Sequence, residues 1–287
     1  MKKDRIIYRI GLILALLCLA GGLCFRYKYQ LREPVFLENE KAVSVSPASE
    51  PDTEWQAELT LRYISDEKND KMVRFVEFPE LNDTVHFGSS EEHSELLKGE
   101  IEQYGRYVLH TMKGQIKGSR EIPDGNKAVI TTARVTYTDG SIQDVDLGKI
   151  VLLGESVKPV PISSDSSGKG EQVVYPEAGG TVTVEEVLFP ETAENLFVFT
   201  VNGIELEDFS SLQLKKGEAL TVECRKAAAS LLDDGFTDRQ PVLLLKVDSG
   251  GSRQILPYLY ETEQASDSGK FSCYKIWRYL ERRGVFG

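Results

Sequence analysis

Residues 128–153 read AVITTARVTYTDGSIQDVDLGKIVLL. Residues 128–137 and 142–153 alternate apolar and polar side chains with the period of two expected of strands that bury one face. Asp139-Gly140 lies between the two runs, a pair suited to a type I′ turn, whose central positions both need positive φ. A hairpin is expected here. The same alternation recurs at residues 58–64 and 72–78 upstream, and at 181–184, 196–201, 220–222, 242–247 and 255–260 downstream. Asn202-Gly203, Lys216-Gly217 and Gly250-Gly251 supply turns between the later runs. The fold class is therefore mainly β, with one short helix expected where Ser89-Ser90-Glu91-Glu92 forms a capping box ahead of Leu96 and Leu97. Gly99 and Gly105 limit how far that helix can run.

A different pattern opens the chain. Residues 10–25 (IGLILALLCLAGGLCF) carry no charge and are flanked by Lys2, Lys3, Arg5 and Arg9 before and by Arg26, Lys28 and Arg32 after. Sixteen helical residues span about 24 Å, short of a hydrocarbon core of about 30 Å, so Ile6, Ile7 and Tyr8 and the snorkelling of Arg9 and Arg26 extend the reach. The segment is read as a transmembrane anchor. Its basic flanks and short leading tail favour the N-terminus inside and the remainder outside the cell membrane. A cleaved secretory signal is the alternative, with Ala20 and Gly22 as the small residues of the site. Leu precedes both Cys18 and Cys24, which excludes a lipoprotein signal and leaves them as small apolar residues of the segment.

Charge separates this start from everything after it. Residues 33–287 hold 27 Lys/Arg against 44 Asp/Glu, a net charge of −17, whereas the whole chain carries −11. Such a surface repels phosphate backbones, so no nucleic-acid partner is expected. Composition then divides the remainder. Residues 33–51, rich in Glu, Ser and Pro, read as a stalk, and residues 157–172 (VKPVPISSDSSGKGEQ) read as a linker. The expected layout is an anchor (1–32), the stalk, a first β-rich domain (52–156), the linker, and a second β-sandwich domain (173–287).

Two cysteines lie outside the apolar segment, Cys224 and Cys273. Outside the cytoplasm, an even pair within one domain points to a disulfide, with two buried free thiols as the alternative. Residues 217–224 (GEALTVEC) and 267–273 (DSGKFSC) resemble the B and F strands of an immunoglobulin-like domain, with Phe271 where that family usually has its corner tyrosine. The resemblance implies a disulfide-linked β-sandwich with adhesion, scaffolding or receptor roles. It departs from the pattern in lacking a strand-C tryptophan between the cysteines and in leaving fourteen residues after Cys273. Phe271 cannot make the corner hydroxyl bond.

Motifs for chemistry are sparse. The histidines are His86, His93 and His110. His86 with Glu91, Glu92 and His93 has no recognised ligand spacing, and a solvated surface is the expected reading. His110 falls in a strand-like run, Tyr107-Val108-Leu109-His110, where packing is expected rather than general-base work. Ser166 and Lys169 match SxxK inside the linker, where nothing desolvates the lysine. Asp233, Asp234 and Asp238 around Gly235 have the wrong spacing for a known Ca²⁺ loop. No catalytic residue, metal site or cofactor is expected.

The remaining candidate is the C-terminus, where Lys270, Lys275, Arg278, Arg282 and Arg283 face only Glu281 and are interleaved with aromatic residues. This stretch suits docking on a membrane surface or on the acidic first domain, or else an edge strand guarded by basic residues. Trp277, Arg278 and Tyr279 are the anchors expected of an interaction surface. Taken together, the sequence points to a membrane-anchored, extracytoplasmic, non-enzymatic binding or assembly module with a protein partner. An accessory or sensory subunit that binds a small ligand or Ca²⁺ is the alternative, and a cell-envelope hydrolase a distant third.

Overall fold

Strand alternation carries through to burial. Along residues 127–137 the side chains follow the pattern half-buried, buried, exposed, buried, with Ile130, Ala133, Val135 and Tyr137 facing inward. The computed structural model describes residues 2–47, 55–69, 71–81, 86–88, 100–118, 127–154, 160–163, 169–174, 180–189, 196–227, 236–249, 252–261 and 271–286. In chain order, helix α1 (Lys2–Lys28) precedes β1 (Val35–Phe36), β2 (Asn39–Ser44), β3 (Ser46–Pro47), β4 (Trp55–Asp66) and β5 (Val73–Glu77). A single 3-10 turn (Pro79–Leu81) leads to β6 (His86–Gly88), β7 (Glu100–Tyr104), β8 (Tyr107–Gly118), β9 (Lys127–Tyr137) and β10 (Ile142–Leu153). The later half adds β11 (Val160–Ser163), β12 (Lys169–Val174), β13 (Gly180–Leu188), β14 (Phe197–Val201) and β15 (Ile204–Glu205). It continues with β16 (Leu212–Leu214), β17 (Leu220–Lys226), β18 (Asp238–Arg239), β19 (Val242–Ser249), β20 (Ser252–Glu261) and helix α2 (Cys273–Arg282).

The strands form four sheets. Sheet A has the order β1-β4-β8-β7, with β3 also on β4, and sheet B the order β18-β2-β10-β9-β5-β6. Sheet C runs β11-β20-β19-β13-β16 and sheet D runs β12-β17-β14-β15. Leu59, Leu61 and Met112 of sheet A share one apolar core with Ile130, Val135, Leu147 and Ile150 of sheet B. Val182, Leu243 and Leu245 of sheet C share another with Phe199, Val222 and Cys224 of sheet D. Each fully buried aliphatic or aromatic side chain contributes roughly 1.5–3 kcal/mol, so apolar burial dominates both.

The end of β10 is buried on both faces. Ile150 and Leu152 face the A/B core, while Val151 and Leu153 pack with Ala42 against Leu188, Phe189, Val242 and Leu244 of the later half. The continuous apolar run 150–153 is thus a strand between two layers. Beside it, Gly148 pairs with Asn39 across the parallel β2–β10 ladder. Gly148 has φ +78°, and a Cβ there would meet the Asn39 carbonyl oxygen at 2.5 Å. Only glycine fits that approach.

Several expectations change. The hairpin between β9 and β10 is present, but Gly140 (φ +82°) has positive φ and Asp139 does not. The turn is thus not type I′: Tyr137 N donates to Ser141 O at 2.9 Å, and Asp139 Oδ1 accepts from Ser141 N at 2.9 Å and from its hydroxyl at 2.6 Å. An aspartate that bonds the backbone two residues on favours this longer three-residue loop, with Gly140 at its positive-φ position. Residues 35–47 do not behave as a stalk, since β1, β2 and β3 pair into sheets A and B. The linker is likewise interrupted by β11 on sheet C and β12 on sheet D. β18 crosses back to extend sheet B, pairing in parallel with β2 at Asp238 and Asn39. The expected capping box and helix at residues 89–97 lie outside the described residues.

Candidate functional site

The basic and aromatic C-terminal stretch is a helix rather than an edge strand. Ser272 caps its start, its hydroxyl accepting from Lys275 N at 3.3 Å. Gly284, at φ +70°, stops it: Gly284 N donates to Glu281 O at 3.0 Å and Val285 N to Leu280 O at 3.1 Å, the paired bonds of a Schellman motif. Ile276, Tyr279 and Leu280 form the buried stripe, at the i, i+3, i+4 spacing of one helix face. That stripe packs on Leu31, Leu37, Ile64, Leu109 and Phe236, so α2 covers part of the outer face of sheet A. Cys273 opens the helix beside the β7–β8 turn, its Sγ 3.2 Å from where a Cβ on Gly105 would lie.

This placement redistributes the expected anchors. Tyr279 is buried, not part of a surface: its ring stacks on Phe236 at 4.6 Å and its hydroxyl accepts from Arg283 Nη1 at 3.1 Å. Burial, opposed by Arg283, pushes its phenol above the ordinary value. Trp277 is half-buried, with its ring 5.7 Å from Tyr29 and 5.6 Å from Tyr274. Its indole Nε1 is shielded and has no hydrogen-bond partner among the described residues. Arg278 is exposed and lies over the Tyr274 ring at 6.0 Å. Lys275, Arg278 and Arg282 share the outward stripe with Tyr274 and Glu281.

The same region grips the end of α1. Arg106 donates through Nη1 to the Arg26 carbonyl at 2.7 Å, satisfying one of the carbonyls that a helix C-terminus leaves unpaired, where a cation also complements the dipole. Asp66 holds that guanidinium through Nε at 3.1 Å and Nη2 at 2.7 Å. Tyr107 donates to the Tyr29 carbonyl at 3.2 Å and Asn69 to the Arg32 carbonyl at 2.6 Å. Burial pushes the Tyr107 phenol up to about 12, so it remains a donor at neutral pH. Phe286 closes the collar, 5.1 Å from the Tyr29 ring. An open cleft of about 800 Å³ lies beside it, lined by Tyr27, Lys28, Arg32, Val285 and Phe286 among others.

A second polar cluster lies where the halves meet. Lys41 Nζ is 2.8 Å from Asp238 Oδ2 and donates to the Thr60 carbonyl at 2.6 Å. Both partners of the pair are buried, and burial pushes the Lys41 ammonium below its ordinary value while Asp238 resists that shift. Asn39 is buried beside them and donates to the Leu37 and Leu147 carbonyls, each at 3.1 Å. Asp238 is therefore an ion-pair partner here; Asp233, Asp234 and Gly235 lie outside the described residues.

The other candidates are placed as follows. Cys224 is buried in β17 within the C/D core and Cys273 is exposed on α2; both are free, so the expected disulfide is not formed. Cys273 begins a helix packed against sheet A, so the likeness of residues 267–273 to an immunoglobulin F strand does not carry into the structure. Phe271 instead packs on Phe236 at 4.9 Å and Tyr104 at 6.0 Å. His110 is packed, its ring stacked on Tyr63 at 4.4 Å and its Nε2 3.0 Å from the Ser65 hydroxyl. Of the His86, Glu91, Glu92 and His93 group, only the backbone of His86 is described. Lys169 pairs with Glu223 at 3.0 Å, and Ser166 lies outside the described residues.

No protein-family model matches the sequence, and neither does any curated protein. Among solved structures, a protein of unknown function from Porphyromonas gingivalis W83 is 9% identical, covering 80% of this chain and 99% of its own, with a TM-score of 0.25. The sialic acid binding region of the Streptococcus sanguinis SK1 adhesin is 8% identical, covering 80% of this chain and 78% of its own, at 0.21. The D00-D0 domain of intimin is 11% identical, covering 80% of this chain and 100% of its own, at 0.23. Likenesses of this size define no family for the chain.

Proposed function

We propose that the chain is a single-pass membrane protein whose two β-rich domains lie outside the membrane and act as a binding or assembly module through protein–protein recognition. The observation that carries this reading is the collar at the end of α1. Residues 11–28 form a helix long and apolar enough to be a membrane span or a signal sequence, with none of that window buried against the rest of the chain. Arg106, Tyr107 and Asn69 bind backbone carbonyls of the residues at its end. These contacts lie at residues 26–32, past Ala20 and Gly22, so they would survive signal cleavage; what supports the anchor is the fixed junction they make between the helix and the β-rich part. The collar replaces a flexible tether with a fixed base, which suits a partner in or near the same membrane better than a long-range ligand. The acidic remainder, at −17 over residues 33–287, favours a partner with basic surface.

Two measurements test this. Protease added to intact cells is expected to remove the β-rich part while a cytoplasmic control survives; a protected full-length chain would reverse the topology. Crosslinking in intact cells followed by mass spectrometry is expected to recover one stable protein partner. Recovery of a mature chain cleaved after Ala20 or Gly22 would replace the anchor with a signal.

A further inference from the structure

We infer that the outward face of α2, together with the basic end of α1, binds the headgroup surface of a bilayer that contains anionic lipid, and so fixes how the β-rich part leans on the membrane. The inference rests on the anchor reading above and adds a second contact to it. Depth is the first argument. Tyr29 follows Arg26, the first charge after the apolar run, by three residues, or about 4.5 Å of helical rise. A headgroup layer is roughly 5–7 Å thick on each side of the hydrocarbon, so Tyr29 sits within it. Trp277 and Phe286 touch Tyr29 edge-on, with ring centroids at 5.7 and 5.1 Å. The C-terminal segment is therefore held at the membrane border by its own contacts with the end of α1.

Charge is the second argument. The ring contacts continue from Tyr29 through Trp277 to Tyr274, with Arg278 above the last. That chain leads onto the exposed stripe of Lys275, Arg278 and Arg282, which Glu281 shares on the helix. Lys28 and Arg32 add two exposed cations at the end of α1, both lining the adjoining cleft, where the acid Glu33 is paired with Lys71 at 2.9 Å. Residues 33–287 carry −17 with this stripe included, so this local excess of cations is set against the charge of the rest. A Debye length of about 8 Å at physiological ionic strength lets the stripe feel a charged surface at this depth. Aromatic rings beside Lys and Arg are also the side chains that partition into headgroup layers. An acidic protein segment is the competing occupant, but it would have to enter the same layer that the anchor already occupies.

The test uses the full-length chain reconstituted into vesicles of phosphatidylcholine alone or of phosphatidylcholine with phosphatidylglycerol, carrying brominated acyl chains. Trp277 fluorescence is the readout, identified by its loss in Trp277→Phe, since Trp55 lies in the A/B core. Stronger quenching is expected in the anionic vesicles, with salt removing the difference. Each cation near such a surface changes partition by roughly fivefold. Lys275→Glu, Arg278→Glu and Arg282→Glu combined are therefore expected to weaken the contact by more than a hundredfold and return quenching to the phosphatidylcholine level. These side chains are exposed, so the thermal transition is expected to move by a few degrees at most. Equal quenching in both lipids, or no response to the triple substitution, would overturn the inference while flotation of the chain with the vesicles in carbonate still supports the anchor. Loss from the vesicles in carbonate would remove the anchor reading and this inference with it. Crosslinks from Lys275 to a protein in cells, without any lipid dependence, would give the surface to that protein instead.

Discussion

Sheets A and B and sheets C and D are made of similar alternating strands, yet they differ in what they bury. Among the described residues, the buried polar side chains Asn39, Lys41, Ser65, Asp66 and His110 belong to the first sheet pair, and Thr237 and Asp238 to the segment that returns to it. The C/D core is lined by Phe199, Val222, Leu245, Val247 and the thiol of Cys224. An apolar core gives stability without strong directionality, whereas buried polar groups tolerate few geometries. The first pair is where α1, α2 and β18 must all be seated in register. Its polar interior coincides with two of those joints: Asp66 with the collar and Lys41 with β18.

The largest effect is expected at Asp238. Asp238→Ala strands the Lys41 ammonium in a buried site, and losing one partner of a buried pair costs about 3–5 kcal/mol. Urea unfolding should show a midpoint lowered accordingly. A double change to Lys41→Met and Asp238→Leu removes both charges and is expected to recover most of that loss. If Asp238→Ala moves the midpoint no more than an exposed substitution does, the pair has no role in joining the halves.

Leu245→Ala probes the apolar side. Leu245 is fully buried in the C/D core, and truncation of such a leucine costs about 2–5 kcal/mol. With β18 paired into sheet B and Val242 and Leu244 packed on Val151 and Leu153, one cooperative transition is expected to shift as a whole. A biphasic curve in which a single phase moves would show instead that the two sheet pairs unfold separately.

Much of the strand pattern was legible in the sequence because it rests on local alternation: residues 142–153 coincide with β10, and Asn202-Gly203 turns with positive φ at both residues, 49° and 78°. What escaped has long-range causes. β1, β2 and β3 are short and take their pairing from β4 and β10, so residues 35–47 have no period of their own. β18 has two residues and exists through Asp238 meeting Lys41, 197 positions away. α2 did leave a local signal, with Ser272 as N-cap, Ile276, Tyr279 and Leu280 on one face, and Gly284 as the stop. Its basic residues and the immunoglobulin-like cysteine motif drew the reading toward a strand. Of the three expected anchors, Arg278 is exposed and Trp277 half-buried, while Tyr279 turns inward because the helical period places it with Ile276.

The cysteines sharpen the contrast at smaller cost. Burial pushes the Cys224 thiol far up, while Cys273 is exposed on α2. Alkylation of the native protein at mildly alkaline pH, followed by peptide mass mapping, should modify Cys273 readily and leave Cys224 unmodified until urea is added. A peptide linking Cys224 to Cys273 under non-reducing conditions would contradict the placement of α2 on sheet A.

The smallest expected effect lies at Glu80, on the rim of the first sheet pair. Glu80 Oε1 accepts from Thr131 N at 3.1 Å, Thr132 N at 2.7 Å and both threonine hydroxyls at 2.8 Å. Partial burial raises the carboxyl pKa, but these hydrogen bonds to the charged form outweigh it and hold the pKa below the ordinary 4.5. The folded state therefore binds this proton less readily than the unfolded chain does. By linkage, the stability Glu80 contributes is complete above the unfolded value near pH 4.5 and is lost as the pH falls through the lowered folded value. Glu80→Gln keeps one acceptor oxygen but cannot titrate. Its unfolding midpoint should lie slightly below that of the parent at pH 7, with the gap closing as the pH is taken below about 4. A gap that stays constant across the acid range would mean that the four donors recognise an oxygen and not a charge, and would leave the acid sensitivity of the first sheet pair to other carboxylates.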